Sequence, residues 1–133
     1  LESQIAGYGM TDKQIDLLEK MTDYEGGKKD EPHIKFFWKM MRERFNNEQR
    51  VKFLVFVWGR SRLPVTAADF EKKFTIQSHH GSAANPDAFF PIAHTCFFSI
   101  ELPKYTSLDI MTKKVLWAMN NCTSIDADGG PMG

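Results

Sequence analysis

The chain has 133 residues, the length of one ordinary domain, and its 42% hydrophobic content suffices for a single core without a metal or disulfide staple. Lysine plus arginine balances aspartate plus glutamate at 17 each, with no sign of the clustered basic face that a nucleic-acid binder needs. No apolar run reaches the roughly eighteen residues of a membrane span, and no basic-then-apolar signal opens the chain.

The start, Leu1-Glu2-Ser3, lacks an initiator Met, which reads as a fragment of something longer or as a processed terminus. Thr11 is an N-cap candidate for a short helix over 11–20, with Ile15, Leu17 and Leu18 as its apolar positions. A charged, glycine-bearing loop follows at 25–30, and Pro32 stands where the first turn of a helix tolerates proline. Behind it Ile34, Phe37, Trp38, Met41 and Phe45 recur at steps of three and four, one face of an amphipathic helix. Asn46-Asn47 supplies a second cap, and VKFLVFVW ends at Gly59, so a buried helix from about 47 to 58 is expected.

FTIQS (74–78) has strand composition, whereas HHGSAANPDA reads as an irregular polar loop. From Cys96 the pattern alternates, with Cys96, Phe98, Ile100 and Leu102 on one side, and Pro103 ends the strand. Thr106 and Asp109 have capping-box spacing before a last helix striped by Met111, Val115, Leu116, Met119 and Cys122. Helices, then strands, a long loop and a closing helix predict a compact α+β domain. There is no internal repeat.

Only two cysteines occur, which argues against a disulfide scaffold and fits a reducing compartment. Cys122 reads as a small hydrophobe on a helix stripe. Cys96 differs: it follows a loop, at a strand's first residue, where sulfur is within reach of a partner. It is either a space-filling thiol or a nucleophile. His79, His80, His94 and Cys96 match no zinc spacing, so no metal is expected. A phosphatase would need glycines and an arginine after the cysteine, and FFSIELP has neither. A cysteine protease would need a base aimed at sulfur. His94, two residues away on a strand, points the same way as Cys96, unless a loop bends it.

The run PIAHTCFFSIELPKY resembles the active-site signature of HECT ubiquitin ligases, L-P-x-x-H-T-C-F followed by a strand and L-P-x-Y. Phe90-Pro91 stands for Leu-Pro, while His94-Thr95-Cys96-Phe97 and Leu102-Pro103-Lys104-Tyr105 match. TDYEGG (22–27), IKFFWKMM (34–41), NNEQRVKFLVFVWGRSRLP (46–64) and the KKVLWAMNN helix are similar in the same order, so the likeness covers residues 5–126. Phe98, WGRSRLP and CTSIDAD look most like the large HERC-type members.

The resemblance implies a HECT C-lobe, a small β-sheet flanked by helices, over residues 11–126. Residues 1–10 would close the N-lobe and hinge (the hinge near Gly7–Asp12), and 127–133 would form the tail. It implies that Cys96 is catalytic, taking ubiquitin from a conjugating enzyme as a thioester and passing it to a substrate lysine. Such exchange is nearly thermoneutral and asks mainly for placement. His94 and Thr95 would shape the active-site loop, the ubiquitin tail would lie extended beside the strand that follows Cys96, and Phe97, on the same loop, would either wall the site or simply pack. Glu101, Asp126 and Asp128 are carboxylates suited to helping deprotonate the lysine. Many HECT proteins carry a phenylalanine near the C-terminus; here Ile125 falls near that place, beside Asp126, and DADGGPMG departs from the usual ending. The expected partners are ubiquitin, a conjugating enzyme held by the N-lobe, and protein lysines, with no cofactor, nucleic acid or membrane. Family habit and cysteine usage suggest the cytoplasm, with the nucleus open. The alternatives are a non-catalytic ubiquitin- or partner-binding module of the same fold and a thiol hydrolase.

Overall fold

The computed structural model describes residues 10–25, 30–60, 63, 67–70, 72–79, 81 and 84–128, with side chains followed to Asn121 in the last helix. The first helix, α1 (Asp12–Lys20), starts at Thr11, whose amide donates to Gln14 Oε1 at 2.9 Å, and it buries Ile15 and Leu18. It leads into β1 (Thr22–Tyr24). Pro32 is the first residue of α2 (Pro32–Lys39), where its missing N–H costs nothing. This helix widens into a π-helical turn, Met40–Arg44. The apolar positions expected from periodicity, from Ile34 to Phe45, are all buried, and the π turn brings Met40 inside as well.

Helix α3 (Asn47–Trp58) has both ends that the sequence announces. Asn46 Oδ1 accepts from the Gln49 amide at 2.8 Å, and Gln49 Oε1 accepts from the Asn46 amide at 2.9 Å. Gly59 closes it in the left-handed region at φ +78°, which a side chain would resist. Four further elements follow: β2 (Phe74–Ser78), β3 (Ile92–His94), β4 (Ser99–Leu102) and α4 (Leu108–Asp128).

The four strands form one mixed sheet in the order β1-β2-β4-β3. The β1–β2 and β2–β4 pairs are parallel, with Thr22 opposite Phe74 and Ile76 opposite Ile100. The β3–β4 pair is antiparallel, with Ile92 opposite Glu101 and His94 opposite Ser99. Phe74 joins sheet to helices, lying 6.1 Å from both Phe37 and Phe53 and 5.2 Å from Phe98 between ring centroids. Met111, Val115, Ala118 and Met119 of α4 complete the core, and Leu116 packs at its margin. This is the α+β architecture expected.

Two local expectations are corrected. The last helix is capped by Ser107, whose Oγ accepts from the Ile110 amide at 3.1 Å. Thr106 instead holds Asp87 through both its amide and its hydroxyl (3.0 and 2.7 Å), and Asp109 pairs with Arg44 at 2.6 Å. The second correction concerns Cys96. The strand after it begins only at Ser99, because Ile92–His94 runs antiparallel to Ser99–Leu102 and the residues between must reverse the chain. Thr95–Phe97 forms a 3₁₀ turn and Phe98 takes φ +52°. Within the loop read as irregular, Pro86–Ala88 forms a 3₁₀ turn. Of the expected hinge only Met10 onward, and nothing of the tail after Asp128, lies within the described residues.

Candidate active site

Cys96 sits at the tip of the β3–β4 hairpin, exposed and free. Its turn is fixed from three directions. The Phe98 carbonyl accepts from the Thr75 amide of β2 at 3.1 Å, and the Cys96 carbonyl accepts from Lys72 Nζ at 2.8 Å. Phe98 itself is fully buried, and its ring stacks on Trp58 with centroids 4.2 Å apart and planes 12° from parallel. Phe98 therefore supplies the positive φ that turns the chain while its side chain anchors the turn to the end of α3.

Cys96 opens on a cavity of about 130 Å³ lined by Trp58, Arg60, Lys72 and Thr95. The Arg60 guanidinium lies 4.6 Å from the centre of the Trp58 ring, a cation–π contact. Two wider depressions, one over His33 and Lys104 and one beside Trp38 and Arg42, contain no cysteine. Phe97 stands 69% exposed next to the sulfur-bearing residue, as a wall open to solvent. The segment entering β3 also exposes Phe89, Phe90 and Ile92, and Phe90 packs on Trp117 at 4.5 Å.

Among the described residues no hydrogen bond joins His94 to Cys96. The His94 Nε2 meets Glu101 Oε2 at 2.7 Å across the hairpin. Glu101, a candidate helper carboxylate, is thus engaged with His94. Behind the hairpin, Tyr105 donates its hydroxyl to the Phe89 carbonyl at 2.6 Å, fixing the end of β4's exit loop to the start of the active-site segment. Burial, and then the charge of Asp87, push the Tyr105 hydroxyl far above the ordinary tyrosine range, so it stays protonated and keeps donating to that carbonyl.

His94, Thr95, Cys96 and Phe97 are therefore brought together on one turn. Ile125, Asp126 and Asp128 fall in the last turns of α4, and their side chains lie outside the described residues, as does that of Cys122. The expectation that an extended tail lies beside the strand after Cys96 is corrected. That strand, β4, is paired on both sides, by β2 and β3, so it has no free edge. Among the described residues the open edge next to Cys96 belongs to β3. Trp58 and Arg60 fall in the WGRSRLP run that carries the family likeness, but nothing in the sequence ties them or Lys72 to Cys96; Gly59, as a helix stop, hints only that the chain turns sharply beside Trp58. Among the described residues no three histidine, cysteine or carboxylate side chains gather as a metal site would require.

Residues 1–127 match the family model described as HECT-domain (ubiquitin-transferase). The chain belongs to the HECT family. Its HECT relatives include the E3 ubiquitin-protein ligase HERC2 of Homo sapiens, 38% identical over 128 residues, covering 96% of this chain and 3% of that protein. The E3 ubiquitin-protein ligase RSP5 of Saccharomyces cerevisiae is 34% identical over 117 residues, covering 84% of this chain and 14% of the relative. The probable E3 ubiquitin-protein ligase HERC4 of Homo sapiens is 33% identical over 121 residues, covering 90% and 11%. The chain thus spans a small part of the length of each of these relatives.

Proposed function

We propose that this chain is the cysteine-bearing lobe of a HECT ubiquitin ligase and that Cys96 carries ubiquitin as a thioester. One observation supports this most directly: the free, exposed Cys96 stands on a turn held by backbone, ammonium and stacking contacts. Acyl exchange between two thiols has little thermodynamic drive, so a rigidly presented sulfur is what the reaction requires. In this reading the Cys96 sulfur attacks the carbonyl carbon that links ubiquitin to its conjugating enzyme. The enzyme's sulfur leaves, and a substrate lysine nitrogen later displaces Cys96. The conjugating enzyme docks through a neighbouring lobe of a longer protein, and the thiol is kept reduced in the cytoplasm or nucleus.

The free edge of β3, three residues long and directly followed by the Cys96 turn, suits the extended tail of the incoming ubiquitin as an added strand. Exposed Ile92 and Phe97 flank that path.

The test is a charging assay with ubiquitin, activating enzyme and loaded conjugating enzyme, on the chain joined to its own preceding lobe. A reductant-sensitive adduct is expected, replaced in Cys96→Ser by a reductant-resistant oxyester and absent in Cys96→Ala. Absence of any adduct on the unsubstituted protein would overturn the ligase reading in favour of a ubiquitin-binding module.

A further inference from the structure

Two cations share the small cavity into which Cys96 opens, and the fold holds both in place before any substrate arrives. Arg60 is the first residue beyond the Gly59 stop of α3, and its guanidinium rests over Trp58. Trp58 is itself stacked on buried Phe98, two residues after the nucleophile. Lys72, just ahead of β2, donates one hydrogen bond to the Cys96 carbonyl. An ammonium has three N–H donors, and among the described residues Lys72 gives only one of them, to that carbonyl. Arg60 and Lys72 approach from different segments, one at a helix end and one before a strand, and converge with Cys96 on about 130 Å³.

Acyl transfer at a thioester places negative charge on one atom. The nucleophile adds to the carbonyl carbon, the C=O π pair moves onto oxygen, and a tetrahedral oxyanion forms with both sulfur and nucleophile attached. Collapse restores C=O and expels a thiolate: the donor's thiolate when Cys96 is acylated, that of Cys96 when an amine takes the acyl group. In the second case the proton on the attacking nitrogen passes to water. Donors already fixed where that charge develops lower the barrier, because no reorganisation is needed at the moment of reaction.

We infer that Arg60 and Lys72 are the oxyanion-stabilising residues for acyl transfer at Cys96. The inference deepens the acyl-carrier reading above and rests on it for biological meaning. Its chemistry is separately testable, because any thioester bound to this sulfur develops the same oxyanion. The pocket also takes a definite class of reagent, since two cations beside a nucleophile favour anionic electrophiles over neutral ones.

The experiment uses the whole chain, Arg60→Gln, Lys72→Gln, their double variant, and the charge-retaining Arg60→Lys. Two rates are read on the Cys96 peptide by mass spectrometry: acetylation by the neutral donor S-phenyl thioacetate, and alkylation by iodoacetate relative to iodoacetamide. The double variant is expected to be acetylated on the order of tenfold more slowly. Its iodoacetate-to-iodoacetamide ratio should also fall several-fold, while Arg60→Lys keeps most of both. A merely structural role would slow both alkylating agents together and leave their ratio unchanged. An unchanged ratio, or a lowered ratio with unchanged acetylation, would overturn the proposal. Ubiquitin takes no part, so failure of the ligase reading would show separately, as an uncharged wild-type protein in the earlier assay.

Discussion

His94 Nε2 and Glu101 Oε2 lie 2.7 Å apart on adjacent strands, a diagonal pair that ties the two arms of the hairpin presenting Cys96. The carboxylate can only accept, so the imidazole proton sits on Nε2 and the ring is held in one orientation. Cross-strand pairs of this kind contribute roughly 0.2–1 kcal/mol, and both partners here are partly open to water. Glu101→Ala should therefore cost under about 1 kcal/mol in urea denaturation. It should nevertheless slow ubiquitin charging several-fold by loosening the turn. Glu101→Gln should retain most of both properties, because its amide oxygen still accepts.

Phe98 gives an unusual ordering of substitutions. Truncating a buried phenylalanine costs about 3–5 kcal/mol, and Phe98 also loses its stack on Trp58. At φ +52°, however, an alanine keeps the strain that a glycine releases, about 1–2 kcal/mol. Phe98→Gly should thus be more stable than Phe98→Ala, the reverse of the usual order within strands. Chemical denaturation of the two variants reads the difference directly.

Arg50 is 5% exposed and carries a charge into the core. Its guanidinium donates to the carbonyls of Met41, Met10 and Arg42 at 2.8–2.9 Å and to Asp12 at 2.9 Å. One fork thereby satisfies the end of the π turn and the approach to α1. Arg50→Met leaves those carbonyls without a donor and should cost about 3–5 kcal/mol, with the loss seen as a lowered urea midpoint. Arg50→Lys should rescue little, since an ammonium cannot span the same acceptors.

Buried His33 confers a pH dependence. Desolvation holds its imidazole below the ordinary value, opposed by Glu31 at 3.6 Å and reinforced by Lys104. Unfolding exposes the ring, which then takes up a proton near about pH 6.5. Its contribution to stability is complete above that value and is lost as pH falls from there through the lower folded pKa, where the unfolded chain binds more protons. The urea midpoint should decline between pH 7 and 5.5, and His33→Gln should flatten that decline. An equal slope in the variant would assign the pH dependence to other groups.

Much of the fold was legible because caps and periodicity agree. Asn46, Gln49 and Gly59 bound α3 on the page as they do in space, and the steps from Ile34 to Phe45 mark a buried face. The missing strands are Thr22–Tyr24 and Ile92–His94, each three residues long. The first pairs with Phe74–Ser78, far along the chain, and the second, though its partner is the next strand, is too short to show a period of its own. The turn at Cys96 was hidden for a different reason. CFFSIEL alternates without a break, and the residue that reverses the chain is a phenylalanine rather than a glycine or asparagine. His94, Thr95, Cys96 and Phe97 came from their resemblance to a family signature. Arg60 and Lys72 could not, since only the folded chain brings a helix end and a pre-strand lysine to one sulfur.

The sheet that carries the turn is bounded on both rims by three-residue strands, β1 and β3. An edge that short offers another molecule of the same protein very little backbone to pair with, so the open rim beside Cys96 is a poor template for fibrils or chain-to-chain adhesion. A rim only three residues long, with the Cys96 turn directly after it, is thus compatible with a high concentration of the chain.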